Sequence, residues 1–173
     1  MCRDGKFRKG VVVLEFSAPI RRPGATLTIG LRDYYVNRAH IEGKKTITNL
    51  SENGALKYSV QVEDGKITWP NGRGFAYVGL KVVSQIHGMG TITIRDDVYS
   101  IEGRAKTTYN SGVTVTKNTE TPLIKPIVCN WIVQGVLKIA INDRVLYIDF
   151  GNGDCDNKAI LKWANGEREI TLP

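Results

Sequence analysis

The chain has 173 residues, a net charge of +7, 42% hydrophobic residues and three cysteines. That length suits one domain large enough to bury well over half of its unfolded surface, so a disulfide here would supplement a core rather than replace it. No run approaches the 18 or more apolar residues of a membrane-spanning helix, and the opening Met1-Cys2-Arg3-Asp4-Gly5-Lys6 lacks the apolar stretch of a signal peptide.

Period-two alternation runs through the chain, and no segment of a dozen residues carries a capped helical stripe. The predicted class is therefore all-β, an antiparallel sandwich or a long curled meander of hairpins. In chain order, predicted strands cover 10–17, 25–36, 40–49, 56–63, 66–69, 76–85, 91–95, 99–109, 113–117, 131–141, 144–150, 159–164 and 167–172. Residues 119–128, with Pro122 and Pro126, read as an extended connection. The expected organisation is a single β domain over 1–173. A short echo raises a division into duplicated halves at about 1–90 and 91–173: Ile41-Glu42-Gly43-Lys44 and Ile101-Glu102-Gly103-Arg104 each follow an Asp and one or two tyrosines.

Three turn signals set registers. A two-residue loop at Asp64-Gly65 would place Val62 against Ile67 and Val60 against Trp69. One at Asn165-Gly166 would place Leu161 against Ile170, Trp163 against Arg168 and Lys162 against Glu169. One at Asn142-Asp143 would place Leu137 against Ile148 and Ile139 against Leu146. In that last register Cys129 falls one residue from the partner of Cys155, and Gly151 or Gly153 can absorb the offset as a bulge. A Cys129–Cys155 disulfide is thus expected, because bridged Cα atoms lie about 4.4–6.8 Å apart. Disulfides persist in oxidising compartments.

The string Tyr147-Ile148-Asp149-Phe150-Gly151-Asn152-Gly153-Asp154-Cys155-Asp156-Asn157 resembles the C-terminal signature of an uncharacterised family of secreted lipoproteins of Bacteroidota. Arg22-Pro23-Gly24, Tyr34 to Asn37, Ile41 to Asn49 and Asp97 to Gly103 are similar to other parts of that family. The resemblance implies an exported, envelope-associated protein at the periplasm, the outer-membrane surface or outside the cell. It implies no catalytic residue. In that family the segment matching Cys2 to Gly10 follows an Asp-Phe-Gly-x-Gly stretch and another cysteine, so the chain is expected to be N-terminally truncated, with Cys2 an orphan; the alternative is a lipidation cysteine whose signal Met1 replaces.

Candidate sites are few. Asp149, Asp154 and Asp156, beside Asn152 and Asn157, have the oxygen density of a calcium site. Their spacing matches no EF-hand, and Asp or Asn beside Gly is what a tight turn needs for itself, so no metal is expected. Trp69, Trp131 and Trp163, with Arg168, could form a stacking platform for a glycan; core packing is the plainer role of these tryptophans. The ten Lys and Arg against four Asp and Glu in residues 1–50 make Arg21, Arg22, Arg38, Lys44 and Lys45 a candidate polyanion surface.

His40 and His87 stand apart with no second ligand at zinc spacing, and no Gly-x-Ser-x-Gly elbow is present. The reading leans away from an enzyme and assigns no cofactor. It expects a non-catalytic exported module, structural or binding a glycan or envelope protein, with nucleic acid disfavoured. The rival readings are an anionic-polymer binder using the basic N-terminal half, and a hydrolase or lyase with a dispersed site.

Overall fold

In the computed structural model, residues 2–173 are described, and among them all regular structure is β. The strands are β1 (Arg8–Phe16), β2 (Thr26–Val36), β3 (Ala39–Asn49), β4 (Lys57–Thr68), β5 (Gly74–His87), β6 (Val98–Tyr109), β7 (Thr114–Pro126), β8 (Gln134–Ile141), β9 (Arg144–Asn152), β10 (Lys158–Trp163) and β11 (Gly166–Thr171). They form one sheet in chain order, with each strand antiparallel to the next. Substantial contacts run only between sequential strands. Of the two architectures the alternation allowed, the meander is the one formed; among the described residues no second sheet packs on the first.

Short turns drive this order. Asn37 and Arg38, with φ of 48° and 70°, form a two-residue link whose left-handed backbone matches strand twist. Asn142, with φ of 50°, opens the equally short β8–β9 link. Leu137 pairs with Ile148 and Ile139 with Leu146, as the sequence indicates.

Two other registers differ from expectation. Asp64-Gly65 makes no hairpin: β4 runs straight through it, and the register shifts there against both β3 and β5. Asp64, at φ of 51°, supplies the bulge, and the chain reverses only after Trp69, whose N–H bonds the Arg73 carbonyl at 2.8 Å. The last hairpin turns on Ala164-Asn165, so Trp163 pairs with Gly166, Leu161 with Arg168 and Lys162 with Glu167. Residues 91–95 form no strand, and β7 continues through Pro122 because the ladder is already interrupted there by shifts between Thr119 and Ile124. Both Ile-Glu-Gly-basic strings sit at irregularities. A Cβ on Gly43 would lie 2.7 Å from Gly65 Cα, and one on Gly103 would lie 2.6 Å from the Leu80 carbonyl oxygen.

Register separates the two faces. One row crosses every strand as Leu14, Ile29, Lys45, Val62, Gly79, Ala105, Lys117, Ile139, Leu146, Trp163 and Gly166. The row beneath it on the opposite face reads Thr28, Thr46, Gln61, Leu80, Arg104, Asn118, Lys138, Tyr147, Lys162 and Glu167. One face is apolar and the other charged.

Among the described residues no layer opposes the apolar face. The accessible surface is 11653 Å², against about 8,400 Å² for a compact monomer of this mass. The buried core is accordingly small: Leu123, Phe150 and Ala159, with Ile101, Ile132, Leu137 and Ile148 packed on them. Ile132 belongs to the β7–β8 connection, which is pinned by Cys129–Cys155 with Cα atoms 5.7 Å apart. The predicted bulge is there too: between Gln134 and Val136 the register gains a residue at Phe150-Gly151. At the other end, the Asn49 side chain is almost wholly buried and donates to the Ile20 carbonyl at 2.8 Å, tying the β1–β2 connection down.

The disulfide closes a separation of 26 residues, which restricts the unfolded chain by about 3.5 kcal/mol in the chain-entropy account. Cys129→Ser/Cys155→Ser is expected to lose roughly that amount in urea denaturation. A loss below about 0.5 kcal/mol would mean that the bridge does not hold this end of the sheet.

Candidate functional site

At the centre of the apolar face, the sheet carries small residues where its neighbours carry large ones. Gly79, Gly103 and Ala105 lie side by side on β5 and β6, and their missing side chains leave an open groove of about 320 Å³. Val60 and Val62 wall it on the β4 side, and Ile101 and Leu137 on the other. The Tyr77 ring folds inward, bringing its hydroxyl to 2.6 Å from where a Gly79 Cβ would stand.

Three lysines surround this floor. Lys45 and Lys117 end the row segment Lys45-Val62-Gly79-Ala105-Lys117, about 19 Å apart at the backbone over four strand spacings. Lys81 stands in the adjacent row between Val60 and Gly103. All three are exposed. Among the described residues none of them makes an ion pair, and neither row contains a carboxylate.

The ion pairs of the strands lie on the opposite face: Lys44 with Glu63 at 2.9 Å, Lys66 with Glu42 at 3.6 Å, and Lys162 with Asp149 at 2.9 Å. There Lys138 also sits over the Tyr147 ring, 5.8 Å from its centroid. Charge is thus balanced on one face and purely cationic at the groove on the other.

The residues singled out in the sequence do not assemble. Trp69 and Trp163 are 40% and 41% exposed, not core. Trp69 packs on Phe75, which packs on Tyr109, with centroids 5.8 and 5.6 Å apart; Trp163 covers Gly166. About six strand spacings, roughly 29 Å, separate β4 from β10. Trp131 lies at the opposite end, its indole donating to the Pro173 carbonyl at 3.1 Å. Arg168 pairs with Leu161 rather than with Trp163.

Of the basic set, Arg21 and Arg22 precede β2 while Arg38 follows it, at the other end of an eleven-residue strand. Lys44 and Lys45 point to opposite faces. These five cations form no common surface.

The acidic turn caps itself. Asp149 accepts from the Gly151 N–H at 3.1 Å as well as from Lys162, and Asp156 accepts from the Lys158 N–H at 2.9 Å. Among the described residues no three His, Cys, Asp or Glu side chains come together as metal ligands. His40 stacks on Tyr35 at 4.6 Å with Nδ1 3.5 Å from Glu42, and His87 Nδ1 is 3.0 Å from the Asp96 carbonyl oxygen. Neither is beside the groove.

Sequence reading missed Lys81, Lys117 and Tyr77 as groove residues. A signal exists in β5, where Phe75, Tyr77, Gly79, Lys81 and Val83 occupy one phase of the alternation, so that a lysine stands on the apolar side. Among the described residues no helix is long and apolar enough to cross a membrane. No protein-family model, no curated protein and no solved structure matches the chain.

The Lys162 ammonium, followed by the Gly151 N–H, holds the Asp149 carboxyl below its ordinary 3.8. A depressed folded-state value contributes stability above the unfolded one and loses it as pH falls through the folded one. The stability gap between wild type and Asp149→Asn should therefore be present at pH 6 and close as pH drops below 3.8. A gap constant down to pH 2 would show that the pair contributes nothing.

Proposed function

We propose that this protein is a non-catalytic binding module of an exported, cell-envelope kind, which takes its ligand on the open apolar face of its sheet. The observation that carries this reading is the groove over Gly79, Gly103 and Ala105, an apolar surface left bare at the middle of the sheet. An open, mainly apolar concavity with a few polar groups around it is the usual form of a small-ligand site. The export part rests on the Cys129–Cys155 disulfide, a bond that persists in oxidising compartments, and on the resemblance to secreted lipoproteins of Bacteroidota.

Glycan binding through tryptophans loses support, because the three indoles are dispersed. A polyanion surface built from Arg21, Arg22, Arg38, Lys44 and Lys45 loses it for the same reason. One observation favours a second, compatible reading, association with another protein. β1 is a free edge, with Val11, Val12, Leu14 and Phe16 each 45–56% exposed, and an unpaired edge accepts an added strand.

The test is a thermal-shift comparison of three probes, laminarin, heparin and dodecanoate, on wild type, on Ala105→Trp, which fills the groove, and on Lys44→Gln on the charged face. A ligand at a hundredfold excess over Kd stabilises by about 2.7 kcal/mol, or about 5–10 °C in a chain of this size. At least one probe should raise the melting temperature of wild type and Lys44→Gln and leave Ala105→Trp unmoved. A shift lost in Lys44→Gln and kept in Ala105→Trp would move the site to the other face. No shift from any probe would also overturn the reading.

A further inference from the structure

We infer that the groove binds a monomeric anionic amphiphile, a single acyl or alkyl chain ending in a carboxylate or sulfate. This rests on the open-face reading above and specifies its ligand. The floor of Gly79, Gly103 and Ala105 and the walls of Val60, Val62, Ile101 and Leu137 offer apolar contact and little hydrogen bonding. Thr119 and the Tyr77 hydroxyl are the uncharged side-chain polar groups there, and Thr119 already accepts the Gly103 N–H at 3.1 Å. A sugar, which needs many hydroxyl partners, finds few.

The groove volume of about 320 Å³ lies at the lower end of small-molecule sites.

Charge selects among apolar ligands. Lys81 rises beside the Gly103 floor, with Lys45 and Lys117 at the flanks, and the two rows that hold them carry no carboxylate. A neutral amphiphile settling here would strip water from ammonium groups and give nothing back. A carboxylate or sulfate replaces that water with charge-assisted hydrogen bonds. The same lysines argue against a second copy lying face to face, which would set like charges in opposition. The balanced opposite face, where Lys44, Lys66 and Lys162 are each paired with an acid, shows that the charge excess at the groove is local.

The test is calorimetric titration of the oxidised protein with dodecanoate and with dodecyl maltoside, both below micelle formation. It is run on wild type, on Lys45→Gln/Lys81→Gln/Lys117→Gln, and on Val62→Glu, which places an acid between Lys45 and the floor. All four positions are solvent-accessible, and circular dichroism checks that each variant is folded. Wild type should bind one dodecanoate at least tenfold more tightly than the maltoside. The triple variant should weaken dodecanoate about tenfold, close to 1.4 kcal/mol, and bind the maltoside no more weakly than wild type does; Val62→Glu, which also removes apolar wall, should weaken dodecanoate more than it weakens the maltoside. Equal affinity for the two amphiphiles, or an unaltered dodecanoate affinity in the triple variant, would remove the anionic preference while leaving the open-face reading intact. Absence of dodecanoate binding would overturn the inference alone if laminarin or heparin still acts through Ala105, and the open-face reading with it if neither does. Co-sedimentation with phosphatidylglycerol vesicles without saturable one-to-one binding of dodecanoate would assign the face to a lipid surface and overturn the inference.

Discussion

Main-chain hydrogen bonding between sequential strands is the constraint on which everything else in this molecule depends. Each turn returns the chain beside the strand it has just left, so the sheet grows by one strand at a time and never folds back over itself. In such a meander a side chain is shielded only by its neighbours in the plane. Half-burial is therefore the normal state of both faces, and full burial needs a connection that crosses over the sheet. The β7–β8 segment lays Ile132 on Leu123 and Phe150, the β1–β2 segment is held by Asn49, and at the β5–β6 segment the buried Gln85 amide donates to Asp97 at 2.9 Å.

The groove lies where none of these segments reaches. Between them, β4 to β7 have neither an opposing layer nor large side chains at Gly79, Gly103 and Ala105, so the apolar face dips instead of packing. Gly103 cannot be replaced by a larger residue without collision with the Leu80 carbonyl; the dip is thus tied to the backbone geometry of the β5–β6 pair. Lysines on the apolar phase would be costly in a closed sandwich, where they would need partners. On an open face they keep their water until a ligand displaces it.

The all-β class, the β8–β9 register and the disulfide were legible in the sequence because each rests on local information: period-two alternation, an Asn-Asp turn, and a cysteine on either side of it. Asp64-Gly65 misled because a residue at positive φ serves a bulge as well as a turn, and only the partner strands decide which forms. Asn165-Gly166 misled by one position of turn placement. That shifted the pairing by two residues and kept each side chain on its face, so Trp163 and Arg168 share a face without being partners. The groove was not legible. Lys45, Lys81 and Lys117 come from three strands and become neighbours only through registers that five strands set jointly. Exposed tryptophans were expected in the core because half-burial in one layer leaves no sequence mark distinct from full burial in two.

Small-angle X-ray scattering on dilute oxidised protein tests the single open layer most directly. A compact 173-residue domain has a radius of gyration of about 16 Å. Eleven strands side by side, at about 4.8 Å per spacing, give a slab whose radius of gyration is about 18–19 Å. A single open layer gives that larger value together with a forward scattering intensity equal to one chain. A value of 16 Å at the mass of one chain would mean that the sheet closes over its own apolar face, and the groove would not exist in solution.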